Sequence, residues 1–441
     1  MTTTFRSSPC TIVTKAPPSA TSSQSSEKLE HLIHQYKGHP LEVSFRDLVG
    51  PLPNDESTHS VYPYPARLLR HIPRLLLDCE QIVEGIDRVV DPFCGTGTVL
   101  LESINRRIPS IGIEQNPLGA LASRVKTTPL DGNSIIETAD LVLATAKRTR
   151  RFAQPNQYVQ RWYSNEAYSA LRRLSACVAS TESNDLSDAM ALILALTAKH
   201  VANTDRRIHV PVSPKFPVFY STADVWHVWT RESRKLARRI SRLSQDAPPT
   251  LVSLGDSRDA RAWASVPNDS RSLIFTSPPY GAAQKYIRSS SLELGWLQHA
   301  SDRGTIALEH NSVGREHLAV SEPGIDALAH HPRIAKTLRS ISSDSPNRAA
   351  IYATYFSDME RVVAKFDDRA SRIVIISGTN NVAGKEIATY ALLRDLIQTF
   401  DFRLKVSFRD EIRGRTLLTK RNSGGAPARA EYIEVFERIP R

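Results

Sequence analysis

The sequence predicts an α/β protein with a mostly parallel sheet flanked by helices, and three observations carry that reading. The first is a β-α-β unit. The apolar run Arg88-Val-Val-Asp91 enters a glycine turn at Pro92–Gly97, a helical stretch follows, and a second apolar run, Ser110-Ile-Gly-Ile-Glu114, closes the unit. The second is that strand-like runs return at Thr250–Leu254, Ser272–Phe275 and Arg372–Ser377, each ending in a polar turn. The third is that the chain from about Asn133 to Gln245 is helical in pattern, so it interrupts the alternation as an insertion.

Taken in order, the Ser/Thr/Pro-rich start lacks the continuous apolar segment of a secretory signal and reads as a flexible tail over residues 1–30. Tyr62-Pro-Tyr-Pro-Ala-Arg67 then leads into an amphipathic helix, because Leu68, Leu69, Ile72, Leu75 and Leu76 recur at helical spacing. After the glycine turn, Leu100, Leu101 and Ile104 share one helical face. The run Ala189–Ala198 reads as a buried helix inside the insertion, and the polar stretch from about Ala300 to Arg348 as a long loop or lid. Near the end, Phe400–Asp410 and Ala430–Ile439 alternate apolar and polar residues and predict an antiparallel pair. The domain plan that follows is a catalytic domain over 31–130 and 247–441, with a helical basic insertion over 131–246.

Composition excludes several classes. No apolar run is long enough to span a bilayer, and a mean hydropathy of −0.30 is ordinary for a soluble protein, so a cytoplasmic location is expected. Cys10, Cys79, Cys94 and Cys177 are scattered, with no Cys/His grouping at metal-ligand spacing, so neither disulfides nor a metal centre is expected. The net charge of +11 favours a polyanionic partner. Residues 147–246 hold 17 Lys and Arg against 8 Asp and Glu, which is +9 of that total. The insertion therefore holds most of the excess.

Two motifs carry chemistry. In Asp91-Pro-Phe-Cys-Gly-Thr-Gly-Thr98, Gly95 and Gly97 let the backbone approach a ligand, and the following helix points its N-terminal N–H groups the same way. The Gly-Lys-Ser/Thr needed for nucleotide phosphates is missing, which disfavours ATP. Glu114 ends the next strand 19 residues after Gly95, where an acidic side chain accepts bonds from ribose hydroxyls in nucleotide-binding α/β folds; on position alone it is equally a solvated strand end. In Thr276-Ser-Pro-Pro-Tyr-Gly281, Pro279 lacks an N–H and forces Pro278 into an extended conformation, so the Pro278 carbonyl is held rigid. That carbonyl and the Ser277 hydroxyl offer two acceptors to an amino group, and Tyr280 offers a flat face to an extruded base. Seen in isolation, the same residues are a Pro-Pro turn with a surface tyrosine.

Together these motifs resemble the bacterial DNA amino-methyltransferases, whose cofactor motif is similar to Asp91–Thr98 and whose catalytic motif is similar to Thr276–Tyr280. The likeness runs from about Tyr62 to Phe436 through Ile111–Gly119, Gly255–Asp259, Ser277–Leu297, the strand before Ser377-Gly-Thr-Asn and Glu431–Glu437. It implies a Rossmann-like, S-adenosyl-L-methionine-dependent methyltransferase fold. By that resemblance Asp91, Pro92, Phe93, Cys94, Gly95, Gly97 and Thr98 hold the methionine part of the cofactor, Glu114 the ribose and Asp256 the adenine amino group. Asn116 belongs to the same cofactor-binding set, with Pro117 packing nearby, and Ser277, Pro278, Pro279 and Tyr280 are the catalytic residues. The partners implied are double-stranded DNA with the target base flipped out and a cognate restriction endonuclease.

Transfer would be direct, because carbon-5 methylation needs a nucleophilic cysteine, whereas Cys10 lies in the tail and Cys94 packs in the cofactor loop. Ser277 in the first motif position resembles the cytosine-N4 subgroup, and adenine-N6 stays open. An RNA guanine-N2 enzyme shares the cofactor loop but usually has Asp or Asn where Ser277 stands, and a catalytically silent nucleic-acid-binding relative is a non-enzymatic alternative. Candidate DNA contacts are Arg231, Arg234, Lys235, Arg238 and Arg239, the stretch Arg403–Arg421, and the loop with Arg315 and His317.

Overall fold

The structure, a computed structural model, describes residues 20–52, 58–64, 67–155, 157–182, 184–281, 286–317, 324–412 and 430–440. Ten strands are described: β1 (Leu41–Glu42), β2 (Arg88–Asp91), β3 (Ser110–Glu114), β4 (Thr250–Leu254), β5 (Ser272–Thr276), β6 (Ala370–Gly378), β7 (Asn380–Val382), β8 (Lys385–Ile387), β9 (Phe402–Glu411) and β10 (Ala430–Arg438). Eight of them form one sheet in the order β1-β9-β10-β6-β5-β2-β3-β4, while β7 and β8 make a small hairpin. From β4 to β6 all neighbours are parallel, and β10 is antiparallel to both β6 and β9. This is the Rossmann-like α/β fold that the sequence predicts.

The central strands are apolar on both faces because helices cover both. Val89, Leu273, Phe275, Val374 and Ile376 pack in one core, with Leu75, Leu76 and Val99 of the helices His71–Asp78 and Thr98–Ile104. Val90, Ile274, Ile373 and Ile375 pack in the other, with Leu338, Phe356 and Leu393 of the helices Pro332–Ser342, Pro346–Val363 and Thr389–Ile397. The period-2 alternation between two cores is what a strand buried on both sides requires. Among the described residues, no helix is long and apolar enough to cross a membrane.

A third core belongs to the insertion. The helices Gly132–Arg148, Asn165–Val178, Asn184–His200 and Thr222–Ile240 bury Ile135, Leu171, Ile193 and Trp229 against one another and against Trp296 from beyond β5. One polar knot joins the insertion to that later segment: Lys199 Nζ donates to Glu293 Oε1 (2.7 Å) and Tyr62 Oη donates to the same oxygen (2.5 Å). Glu293 is buried.

Two expectations need correction. Residues 20–34 form a helix where a flexible tail was read as far as residue 30; Leu29 and Ile33 are buried beside Leu76 and Ser25 Oγ donates to the Leu48 carbonyl (2.7 Å). The earlier part of that tail, with Cys10, lies outside the described residues, as do Pro65, Ala66, residues 282–285 and residues 413–421 of the last basic stretch. The supposed loop from Ala300 to Arg348 contains the helices Ile306–Asn311 and Pro332–Ser342; Ile334, Ala335, Leu338 and Ile341 form a short buried stripe hidden by the polar composition around it.

Lys199→Met should cost about 3 kcal/mol of unfolding free energy in urea, since it leaves a buried carboxylate without its cation. The double variant Lys199→Met/Glu293→Gln should recover more than half of that loss; equal instability of both variants would refute the ion-pair account.

Candidate active site

The strand order fixes where a site can form. From β2 the chain moves outward to β3 and β4 and then returns to β5 on the other side of β2. The loops leaving β2 and β5 therefore diverge at a topological switch point, which opens a crevice beyond the carboxyl ends of the strands. Val90 is in register with Ile274, so the next residues of each strand, Asp91 and Phe275, lead the glycine turn and the Ser-Pro-Pro-Tyr turn out side by side.

Asp91 ties the two turns together. Its buried carboxylate accepts from the Phe93 amide (3.0 Å) and the Thr276 hydroxyl (2.7 Å), both at Oδ1. Burial pushes its pKa up to about 7, with the nearby Glu114 carboxylate adding to the rise against those two hydrogen bonds. Gly97 caps the helix Thr98–Ile104 at φ +72°, and a Cβ there would collide with the Ser123 hydroxyl. Gly95 sits at φ +53° with open space where a Cβ would project. Glycine is thus demanded twice, by left-handed backbone at both positions and by close packing at Gly97.

Glu114 closes the next side. Its two oxygens accept from the Gly95 and Asn116 amides, each at 2.7 Å, while burial raises its pKa against those bonds. Asn116 caps the helix Pro117–Thr127 through the Leu118 amide and donates to Tyr64 Oη (3.0 Å). Asp256 accepts at both oxygens from the Arg258 guanidinium, and Arg258 also reaches Asp358 (2.8 Å) and the Asn311 carbonyl (2.5 Å).

One cleft gathers most of the sequence-predicted residues. Asp91, Pro92, Phe93, Cys94, Gly95, Thr98, Glu114, Asn116, Asp256, Ser277 and Pro279 all line it. Gly97, Pro278 and Tyr280 do not: Gly97 turns into the helix cap, Pro278 is buried, and Tyr280 is half-buried beside the cleft. Cys94 packs near Ser123 Oγ (3.8 Å), and burial drives its thiol pKa well up, which suits packing and not nucleophilic attack. The cleft encloses about 1350 Å³ with its open mouth.

The far wall was missed by sequence reasoning. Glu309, His310, Ser312, Val313, Glu316 and His317 line the cleft from the segment after the helix Ser291–Trp296, as do Tyr64 and Arg67 from the Tyr-Pro-Ala-Arg stretch. Three contacts hold that segment down. The Asn311 carbonyl accepts from Arg258 and from Gln115 Nε2 (2.9 Å), Arg315 Nη1 donates to Asp358 (2.6 Å), and Gly314, at φ +78°, lies so close to the Tyr280 carbonyl that a Cβ would stand 2.8 Å from it. Arg315 is consequently buried in an ion pair and is no DNA-facing residue, and His317 faces the cleft. No spacing rule could have placed these residues, but the glycine in Ser312-Val313-Gly314-Arg315 was a signal of close backbone approach.

Outside the cleft lining, His330 and His331 both turn Nε2 to Glu360 Oε1, at 2.6 and 3.0 Å. The three ligand atoms lie close enough to hold an ion, a grouping invisible in sequence because Glu360 comes 29 residues after His331. Each imidazole is satisfied by the carboxylate without one.

No protein-family model matches the chain. In sequence it is 20% identical over 340 residues to the type II methyltransferase M.MvaI of Kocuria varians, covering 70% of this chain and 73% of that protein. Over 108 residues it is 27% identical to the type II methyltransferase M.MjaII of Methanocaldococcus jannaschii, covering 24% of this chain and 19% of that protein. The chain is thus similar to methyltransferases over most of its length.

Because the Asp91 pKa is raised on folding, the unfolded chain releases this proton at lower pH than the folded one. Stability from this group therefore falls as pH climbs from about 4 to about 7. Asp91→Asn keeps the Oδ1 acceptor and removes the charge, so its melting temperature should gain on the wild type between pH 5 and pH 8. A difference that stays constant across that range would refute the buried-charge account.

Proposed function

We propose that this chain transfers a methyl group from S-adenosyl-L-methionine to an exocyclic amino group of a base in double-stranded DNA, with N4 of cytosine as the target that Ser277 favours. The observation that carries this reading is the shared cleft: the glycine turn after β2 and the Ser-Pro-Pro-Tyr turn after β5 line one space at the switch point. Similarity to two type II methyltransferases supports it, and the setting proposed with it is a restriction-modification system with a cognate endonuclease.

The cofactor fits the residues present. When bound it would supply an electrophilic methyl on a sulfonium, and the carboxyls of Asp91, buried, and Glu114, half-buried, both line the cleft, where a cationic ligand would favour their ionised forms. The turn Asp91–Thr98 would hold the methionine part. Each Glu114 oxygen accepts one amide and has a lone pair left for a ribose hydroxyl. Asp256 would meet the adenine amino group only by sharing with Arg258.

On the substrate side, the Ser277 hydroxyl, which lines the cleft, accepts a hydrogen of the base amino group, and the Pro278 carbonyl would accept the other only after the turn shifts to expose it, since Pro278 is buried outside the lining. That draws charge onto its nitrogen and orients the lone pair toward the methyl. Tyr280 would stack on the flipped base after a change of side-chain position that exposes its ring. For the duplex, the helix Thr222–Ile240 presents Arg234 and Arg238 on the face that also carries His227 and Arg231, and the first two are exposed with no carboxylate partner among the described residues. Lys235 and Arg231 are instead drawn to Glu232, and Arg239 turns inward to the Ser60 carbonyl.

Purified protein incubated with S-adenosyl-L-methionine and unmethylated DNA should yield N4-methylcytosine when the product is digested and read by mass spectrometry. Ser277→Ala should slow turnover roughly 10- to 100-fold, as loss of one transition-state hydrogen bond does. N6-methyladenine would keep the site and overturn the target, and modification of structured RNA alone would overturn the DNA substrate. Separately, Arg234→Glu/Arg238→Glu should weaken duplex binding and flatten its dependence on salt by about two phosphate contacts; an unchanged slope would remove this helix from the DNA-binding surface.

A further inference from the structure

Ten large apolar side chains among the described residues are strongly exposed, and four of them, Val212, Phe216, Val218 and Phe219, fall within eight consecutive positions. Phe216 is 76% and Phe219 75% exposed, the two highest values of the ten. Rings left that far in water gain nothing from the hydrophobic effect, so a cluster of them marks a binding surface.

The loop that carries them is built to hold them out. Its base is clasped: Val218 N donates to Asn203 Oδ1 (3.1 Å), Asp205 N to the Val212 carbonyl (2.9 Å), and Arg206 to Tyr220 Oη (2.5 Å) and the His200 carbonyl (2.9 Å). Pro211, Pro214 and Pro217 fix φ along the tip, so little ordering entropy remains to be lost on binding.

Its charge selects the partner. Lys215 Nζ lies 5.4 Å from the Phe216 ring centre, and Arg206 and Arg207 stand at the start of the same loop. The one acidic residue in the loop, Asp205, is taken up by Arg207. Apolar rings in a cationic frame fit bases flanked by phosphates, and two copies of so basic a surface would repel each other.

The base of the loop is linked to the cleft through two aromatic side chains. It begins just after Lys199, whose ammonium is bound to Glu293 and Tyr62, and the Tyr62 ring lies 6.4 Å from that of Tyr64, a cleft residue. It ends where the basic helix Thr222–Ile240 starts.

Resting on the reading of the chain as a DNA base methyltransferase, we infer that the tip Lys215–Phe219 enters the duplex at the target site. There a phenyl ring stacks on the bases exposed when the target base leaves the helix.

The test uses full-length Phe216→Ala/Phe219→Ala and an oligonucleotide duplex bearing the recognition sequence, mapped by methylation-sensitive sequencing of DNA modified by the wild type. Both rings are exposed, so the fold is not at stake. On a correctly paired target, methylation and duplex affinity should fall about tenfold or more, the scale of lost base–aromatic stacking. On a duplex with a mismatched target base the loss should be smaller, because such a base is extruded at lower cost. The salt dependence of binding and the affinity for S-adenosyl-L-methionine should not change. Wild-type rates in the variant, or equal losses on paired and mismatched duplexes, would overturn the inference, as would sedimentation showing a wild-type dimer that the variant turns into a monomer. Failure of the wild type itself to modify DNA would instead overturn the underlying reading, and this inference with it.

Discussion

The parallel pairing of β2 with β5 is the constraint on which the rest of this structure depends. Strands that are neighbours in the sheet but 184 residues apart in their aligned positions, with Arg88 joined by paired hydrogen bonds to Asp269 just before β5, deliver two different turns to the same edge. At the exit, the Asp91 carboxylate takes one hydrogen bond from each turn's own strand end, from Phe93 and from Thr276. Neither turn makes a site alone. A glycine turn at a helix N-terminus binds many ligands, and a Pro-Pro turn binds nothing in particular; their chemistry becomes specific only because the sheet order opens a crevice between them.

The cost of that arrangement is electrostatic. Asp91, buried, and Glu114, half-buried, both line the cleft, and desolvation raises both pKa values even though each accepts two backbone or hydroxyl hydrogen bonds. A cleft in that condition discriminates by charge before it discriminates by shape, favouring a cationic group over a phosphate. The opposing wall answers the problem differently. Arg258 neutralises Asp256 and Asp358 together and holds the Asn311 carbonyl, and Arg315 shares Asp358, so charge pairs hold the segment 306–317 alongside the buried Val313, which joins the core.

The insertion shows the same division between support and function. Its inner faces form a core of their own around Trp229 and Ile193, joined to the catalytic half by Trp296 and by the Lys199–Glu293–Tyr62 knot. Its outer surface keeps exposed Arg234 and Arg238 and the loop with Phe216 and Phe219. The basic excess read from composition is therefore not spread evenly: Lys199, Arg231, Lys235 and Arg239 serve internal contacts, while Arg234 and Arg238 are exposed.

Local pattern was enough to determine much of this protein. The strands Arg88–Asp91, Ser110–Glu114 and Ser272–Thr276, the glycine turn and the antiparallel pair at the end are legible because periodicity and turn chemistry are properties of neighbouring residues. Most residues assigned to the cofactor and catalytic turns also fall in one cleft, since each motif travels as a unit with the strand that carries it. What only the tertiary structure decided depends on residues far apart in the chain. It placed β10 between β6 and β9, turned Arg315 inward to Asp358, pressed Gly314 against Tyr280, hid Pro278, and made Glu309, His310 and His317 a wall of the cleft. A side chain's direction in a polar segment is set by which distant charge it can reach, and sequence spacing carries no record of that.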